Sequence, residues 1–68
     1  MNSPVRTELL ASLAELLRQY PNWRLGQLLA NISGWADKDI WEAEDAELLD
    51  VCRAHLEQLG TQEREVHA

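Results

Sequence analysis

The sequence predicts an all-α protein that folds as one compact three-helix domain. Three segments carry apolar residues at three- and four-residue spacing, which is typical of amphipathic helices. No segment combines strict alternation with β-branched enrichment, so strands are not expected. A chain of 68 residues can bury one small core. We expect helices at about residues 4–20, 23–36 and 44–59, a single domain over residues 1–60, and a flexible C-terminal tail over residues 61–68.

The first helix is predicted to run from Pro4 to about Tyr20. Ser3 is the expected N-cap, and Pro4 then occupies a position where its missing N–H costs nothing. Pro21 disfavours helical geometry at Tyr20 and therefore ends the helix. The predicted apolar stripe is wide enough to face two neighbouring helices and contains Val5, Leu9, Leu10, Leu13, Leu16, Leu17 and Tyr20.

The second helix is predicted to run from about Trp23 to Ala36, with Asn22 as its N-cap. Gly34 lies near its end, where glycine can supply a left-handed cap. The aperiodic segment that follows, residues 37–41, is expected to form a connecting loop that Ile40 and Trp41 anchor to the core. The core stripe of this helix is expected to contain Leu25, Leu28, Leu29, Ile32 and Ala36.

The third helix is predicted to run from about Glu44 to Leu59 and to end at Gly60. Its apolar face is expected to contain Leu48, Leu49, Cys52, Leu56 and Leu59.

The charge of the chain is concentrated in one segment. The protein has a net charge of −6, and residues 37–50 contain seven acids against Lys38 alone, while the rest of the chain is neutral. Acids in the first turn of a helix interact favourably with its dipole, and the remainder can simply keep the protein soluble. The alternative is a docking surface for a basic protein. Direct binding to nucleic acid is not expected, because acidic side chains repel a phosphate backbone.

A second stripe lies beside the apolar face of the second helix and consists of Arg24, Gln27, Asn31 and Trp35. Arg and Trp are enriched at the energetic centres of protein interfaces. Alternatively, Arg24 pairs with Glu44 or Asp45 while the tryptophans complete the core. The candidate interaction surface combines this stripe with the acidic segment and comprises Arg24, Gln27, Asn31, Trp35, Asp39, Trp41, Glu42, Glu44, Asp45 and Glu47.

No pattern in the sequence indicates a catalytic or cofactor site. Cys52 and His55 have a metal-ligand spacing, but zinc takes at least three protein ligands and no second pair exists. A calcium loop starting at Asp37 fails, because Glu42 stands where glycine is required and Leu48 where a bidentate Glu is required. We therefore expect no metal, no cofactor and no enzymatic activity. The alternatives are a small metal-binding or carboxylate-based enzyme and a purely structural homo-oligomer subunit.

The cysteine content and hydropathy bear on the location of the protein. The one cysteine, Cys52, cannot form an internal disulfide, which favours a reducing compartment. No apolar run approaches the length of about 20 residues that a membrane span requires. The sequence therefore predicts a cytoplasmic protein that does not bind membranes, with a protein partner or a second copy of itself.

Two segments resemble a family of short, uncharacterised bacterial helical proteins. The first reads Trp-Arg-Leu-Gly-Gln-Leu-Leu-Ala-Asn over residues 23–31, and the second combines Asp-Ile-Trp at 39–41 with Glu-Asp-Ala-Glu-Leu at 44–48. That family has no established activity, so the resemblance implies no functional residues. It does imply that the two segments form one unit, in which Arg24 meets the acidic segment.

Overall fold

The fold consists of three helices connected by two short loops. The computed structural model describes the backbone of residues 3–67 and the side chains of residues 3–60. The helices are α1 (Pro4–Gln19), α2 (Leu25–Ala36) and α3 (Asp45–His67), and the described residues include no strand. Helix α3 packs against both α1 and α2, while α1 and α2 contact each other less extensively. The predicted all-α three-helix domain is confirmed.

The boundaries of α1 follow from its two prolines. Ser3 has extended backbone dihedral angles and Pro4 begins the helix, as expected. The Ser3 hydroxyl makes no capping hydrogen bond, although the Ser3 carbonyl accepts one from the Thr7 N–H at 3.1 Å. The last turn closes where the Tyr20 N–H donates to the Leu16 carbonyl at 3.0 Å. Pro21 follows directly, which confirms the predicted stop.

Helix α2 begins two residues later than the sequence predicts. Its N-cap is Arg24 and not Asn22, because the Leu28 N–H donates to the Arg24 carbonyl at 3.0 Å. The Gln27 side-chain oxygen accepts the Arg24 backbone N–H at 2.8 Å, which is half of a capping box. The Arg24 side chain cannot make the other half, because a guanidinium has no acceptor. Trp23 therefore belongs to the turn between α1 and α2.

The left-handed residue that ends α2 is Asp37 and not Gly34. Asp37 has φ 56° and ψ 41°, and its N–H donates to the Gly34 carbonyl at 3.2 Å. The next N–H, on Lys38, donates to the Ser33 carbonyl at 3.2 Å. Asp adopts this conformation more readily than most non-glycine residues, because its short polar side chain can hydrogen-bond locally. Gly34 is an ordinary helical residue.

Helix α3 is longer than predicted. The Glu47 carboxylate accepts the Glu44 backbone N–H at 3.0 Å, and Asp45 and Glu47 lie in the first turn near the positive end of the helix dipole. The helix continues through Gly60, so the predicted end at Leu59 is wrong. One glycine in a helix costs about 1 kcal/mol and does not by itself end it. The side chains of the expected flexible tail, residues 61–68, lie outside the described part of the structure.

The core is small and drawn from all three helices. Two residues of the predicted apolar stripes are not buried: Leu10 is 59% exposed and Leu25 is 55% exposed.

Burial raises the pKa of the Cys52 thiol, so Cys52 remains a neutral, apolar core group. The fully or nearly buried side chains among the described residues are Leu9, Leu16, Leu28, Ile32, Leu49 and Cys52.

The loop between α2 and α3 is held by polar contacts and not by the apolar anchors that the sequence predicts. Trp41 is 91% exposed and Ile40 is 40% exposed, so neither is packed in the core. The Asp39 carboxylate accepts the Trp41 N–H at 2.9 Å, and the Asp39 carbonyl accepts the N–H groups of Glu42 and Ala43. The Ser33 hydroxyl donates to the Lys38 carbonyl. These hydrogen bonds fix the loop without burying its apolar side chains.

Two ion pairs link α1 to α3 at the surface. Arg6 contacts Asp45 at 2.8 Å, and Arg53 contacts Glu8 at 2.7 Å. All four side chains are partly or largely exposed. Each pair is therefore expected to contribute only about 0–1 kcal/mol, and the apolar core carries most of the stability.

Replacing a core leucine should unfold much of the protein. Leu16→Ala removes a fully buried side chain and is expected to lower the free energy of unfolding by about 2–5 kcal/mol. Leu10→Ala, which trims an exposed leucine of the same helix, is the control and should change it by less than about 1 kcal/mol. Urea unfolding followed by far-ultraviolet circular dichroism measures both. Equal shifts for the two variants would contradict this description of the core.

Candidate interaction surface

Four aromatic rings form a cluster that joins the three helices. We call Tyr20, Trp23, Trp35 and His55 the aromatic cluster. Tyr20 stacks on Trp23 with ring centroids 4.0 Å apart and planes 8° from parallel, and Trp35 stacks on His55 at 4.1 Å and 13°. Trp23 and Trp35 lie 6.5 Å apart in a tilted arrangement, as do Tyr20 and His55 at 5.8 Å. Such ring pairs add about 0.5–1.5 kcal/mol beyond the area they bury.

One hydrogen bond closes the aromatic cluster. The Tyr20 hydroxyl lies 2.7 Å from Nε2 of His55, and both side chains are half-buried. Tyr20 directly follows α1 and His55 lies in the middle of α3, so this bond ties the end of one helix to the centre of another. His55 is therefore engaged with Tyr20 and Trp35.

A shallow open groove lies beside the aromatic cluster, between α2 and α3. It has a volume of about 350 Å³ and is lined by Trp35, Val51, Ala54, His55 and Gln58. Among the described residues, the lining contains no acid, lysine or arginine. Trp35, Val51 and Ala54 are apolar, while His55 and Gln58 supply hydrogen-bonding groups. The groove is suited to a flat, largely apolar group.

The predicted stripe on α2 divides into an exposed part and a packed part. Arg24, Gln27 and Asn31 are exposed, whereas Trp35 is half-buried within the aromatic cluster. The expected pairing of Arg24 with Asp45 is wrong, because Asp45 pairs with Arg6 at 2.8 Å. Within the described residues, the Arg24 side chain makes no ion pair with the acidic segment. The stripe is thus a polar border along α2 and does not link α2 to the acidic segment.

Several acids of the segment 37–50 have local structural roles. Asp39 fixes the loop, and Asp45 pairs with Arg6. Glu47 accepts the Glu44 N–H and contacts the Lys38 ammonium at 2.5 Å. This ion pair, together with the hydrogen bond from Glu44, lowers the pKa of the Glu47 carboxyl. Asp45 and Glu47 are therefore engaged in ion pairs within the chain, whereas Asp39 is exposed and keeps acceptor capacity beside its one hydrogen bond.

The remaining acids of the segment are exposed, and one of them directly follows an exposed tryptophan. Within the described part of the chain, the side chains of Asp37, Glu42, Glu44 and Asp50 make no ion pair and are exposed. Trp41 stands directly before Glu42 in the loop and is 91% exposed. We call Asp39, Ile40, Trp41 and Glu42 the Trp41 tip. It presents a large apolar ring next to two carboxylates.

The described residues can be examined for metal-ligand groups and for membrane-spanning helices. They include no group of three His, Cys, Asp or Glu side chains placed to hold a metal ion. Over the same part of the chain, no helix combines the length and hydrophobicity that crossing a bilayer requires.

Comparisons with protein-family models, with curated proteins and with solved structures find no match for this chain. Its resemblance to the family of short bacterial helical proteins therefore stays a prediction.

Three residues of the groove and the pairing within the aromatic cluster are not predicted from the sequence. Val51, Ala54 and Gln58 are not among the predicted site residues, and Tyr20 is predicted only as a core residue. The spacing of residues 51, 54, 55 and 58 on α3 does place them on one helical face. That signal identifies a shared face, but it does not show that Trp35 covers one side of it.

The Lys38–Glu47 pair should make stability depend on pH in a defined direction. Because the pKa of Glu47 is lower in the folded state, its contribution is present above the ordinary carboxyl pKa and is lost as the pH falls through the folded value. Glu47→Gln keeps an acceptor for the Glu44 N–H but removes the charge. The wild type should be more stable than this variant at neutral pH, and this difference in stability should disappear at acidic pH. Thermal unfolding across pH measures this, with Glu42→Gln as the control; a difference that is constant with pH would rule it out.

Removing the Tyr20 hydroxyl tests the bond that closes the aromatic cluster. Tyr20→Phe keeps the ring stack on Trp23 and leaves His55 Nε2 without its partner. We expect the free energy of unfolding to fall by about 0.5–1.5 kcal/mol, as for a typical lost hydrogen bond. Chemical denaturation measures the change. In a His55→Gln background the same substitution should cost less, and an undiminished cost would show that the hydroxyl acts elsewhere.

Proposed function

We propose that this protein is a non-catalytic protein–protein interaction module whose contact surface is centred on Trp41. The observation that carries the proposal is the 91% exposure of the Trp41 side chain in a chain that packs its other two tryptophans against neighbouring rings. Burying a tryptophan removes about 150–250 Å² from water. An exposed one is therefore a strong candidate for the energetic centre of an interface.

The rigidity of the loop supports the same proposal. The hydrogen bonds from Trp41, Glu42 and Ala43 to Asp39 hold the backbone of the Trp41 tip in one conformation. Binding a partner then orders little additional chain, which lowers the entropic cost of association. A flexible loop with the same residues would lose more entropy on binding.

The charges beside Trp41 support a basic partner. Asp39, Glu42 and Glu44 lie within three residues of Trp41 in the chain and are exposed, so a pocket rimmed by lysine or arginine is complementary to the Trp41 tip. The same charges disfavour nucleic acid and anionic lipid surfaces. We place the protein in the cytoplasm, a proposal that rests on its single buried thiol and on the absence of a disulfide framework in its sequence.

The alternative of a small metal-binding or carboxylate-based enzyme has less support. The acids of the Trp41 tip, Asp39 and Glu42, are exposed on the loop, and the lining of the groove, as far as the described residues form it, contains no acid. General acid–base chemistry with two carboxylates needs them in different environments within one cleft. The groove and the acids of the Trp41 tip are separate features, so the proposal is a binding function.

Loss of Trp41 should abolish partner binding without unfolding the domain. Immobilised wild-type protein, Trp41→Ala and Leu25→Ala are exposed to an extract of the source cells, and the retained proteins are compared by mass spectrometry. We expect wild type and Leu25→Ala to retain the same set and Trp41→Ala to lose it. Leu25 is an exposed apolar residue elsewhere on the surface and serves as the matched control. Identical retention by all three would contradict the proposal.

Charge-reversal variants test the acidic residues in the same retention experiment. Glu42→Lys should weaken retention, and the wild-type interaction should weaken as ionic strength rises, because salt screens exposed charges. Asp50→Lys makes the same charge change on α3 and should have a smaller effect. Retention that is equal for both variants would show that net charge matters and that its location does not.

A further inference from the structure

We propose that the groove between α2 and α3 is a second binding site, which receives a basic amphipathic helix from a partner protein. The apolar face of that helix lies against Trp35, Val51 and Ala54, and lysine or arginine side chains along its border reach the acids beside Ala54. This inference goes beyond the proposed function, because the described lining of the groove contains no residue of the Trp41 tip.

The lining of the groove has the spacing by which helices pack against each other. Val51, Ala54, His55 and Gln58 are three and four residues apart, so they share one face of α3 and extend over about 10 Å of it. Trp35 lines the groove from α2. Side chains at this spacing pack against the rows of another helix, and a helix laid in an apolar groove is a recurring form of peptide recognition. The groove therefore matches about two turns of a partner helix.

The apolar part of the groove is held in place before any partner binds. The groove has a volume of about 350 Å³, and Trp35, Val51 and Ala54 form its apolar part. Covering this surface removes it from water, which favours association. The His55 ring is held by the Tyr20 hydroxyl at 2.7 Å and by its stack on Trp35. The two rings of the lining therefore need little rearrangement on binding, which lowers the entropic cost of association.

Acidic side chains next to the groove favour a basic occupant. Asp50 and Glu57 lie four residues before and three residues after Ala54, so both are beside it on the surface of α3, and both are exposed. Asp50 makes no ion pair within the described residues. Arg53 lies on the same side of α3, but its guanidinium contacts the Glu8 carboxylate at 2.7 Å. This edge of the groove therefore carries more negative than positive charge, and a cation placed there is attracted to it.

The same charges disfavour other occupants. Asp50 and Glu57 repel an acidic helix and the phosphate backbone of a nucleic acid. A second copy of this chain brings a net charge of −6 to a surface of the same sign. Lys38, the cation of the preceding loop, is paired with Glu47 and so offers little attraction to an acid. A basic segment is therefore the electrostatic complement of this groove.

Lysine and arginine suit both the apolar lining and the acidic edge. Their aliphatic stems can lie along an apolar surface while their charged ends stay in water. A stem that crosses Ala54 brings its charged end toward Asp50 or Glu57. Charges at the border of an interface mainly set the rate of association and the choice of partner. The apolar lining therefore supplies the affinity, and the acids supply the selectivity for a basic helix.

Selection from a displayed library of helical peptides tests the chemistry of the occupant. The peptides have about 18 residues, which is enough for an isolated helix. They carry apolar residues at three- and four-residue spacing, and Lys, Gln or Glu at random along both borders of that stripe. The library is depleted on Ala54→Arg, which fills the groove and leaves Trp41 intact, and is then selected on the wild type. We expect enrichment of Lys at the borders; no enriched peptide, or enrichment of Gln or Glu, would overturn the proposal.

Titration of the most enriched peptide into isotope-labelled protein locates the binding site. Nuclear magnetic resonance should show a shift of the Trp35 indole N–H signal and little change at Trp41. Asp50→Lys should weaken binding at least about threefold, because an attractive pair becomes a repulsive one. Glu42→Lys makes the same charge change in the Trp41 tip and should leave binding nearly unchanged. A shift at Trp41 alone, or an equal loss for both variants, would overturn the proposal.

Circular dichroism checks that the variants keep the wild-type helix content. Asp50 and Ala54 are exposed on α3, and Lys and Arg are good helix formers, so both substitutions should be tolerated.

The outcomes separate this inference from the proposed function. If no basic peptide is selected while Trp41 is still required to retain proteins from an extract, the groove proposal is overturned and the proposed function stands. If a basic peptide binds the groove while Trp41→Ala retains the same proteins as the wild type, the groove proposal is supported and the proposed function fails.

Discussion

The stack of Trp35 on His55, together with the hydrogen bond between the Tyr20 hydroxyl and the same imidazole, is the contact outside the apolar core that joins all three helices. It is built from the end of α1, the last turn of α2 and the middle of α3. Because α1 and α2 touch each other little, their positions are set mainly through α3. The same contact holds Trp35 of α2 beside His55 of α3, and both residues line the groove.

Periodicity was sufficient to predict three helices and most of the core, because burial of one face is what stabilises a short helix. It could not predict which apolar residues would be left outside. Leu10, Leu25 and Trp41 all fit an apolar pattern or an anchoring role, yet the core of this small chain has room for only six closely packed side chains among the described residues. Which residues it admits is decided by the crossing of helices that are far apart in sequence.

The acidic segment illustrates the same difference between pattern and structure. Its charge and location were readable from the sequence, and its division into structural and free acids was not. Asp45 forms an ion pair with Arg6, which is 39 residues away in the chain. No local sequence pattern therefore indicates that Asp45 is paired. Glu47 pairs with Lys38, which lies nine residues earlier in the chain and directly follows the left-handed Asp37. Next to Trp41, Glu42 is exposed and makes no ion pair within the described residues, while Asp39 is exposed and also holds the loop.

Cys52 gives the fold a chemical reporter of its own motions. Its side chain is fully buried at the centre of the helix packing, and burial favours its protonated form, so neither alkylating reagents nor oxidants can reach a reactive thiolate in the closed domain. Modification must wait until α3 separates from its neighbours. The rate at which this one thiol reacts therefore counts how often a domain with so small a core opens.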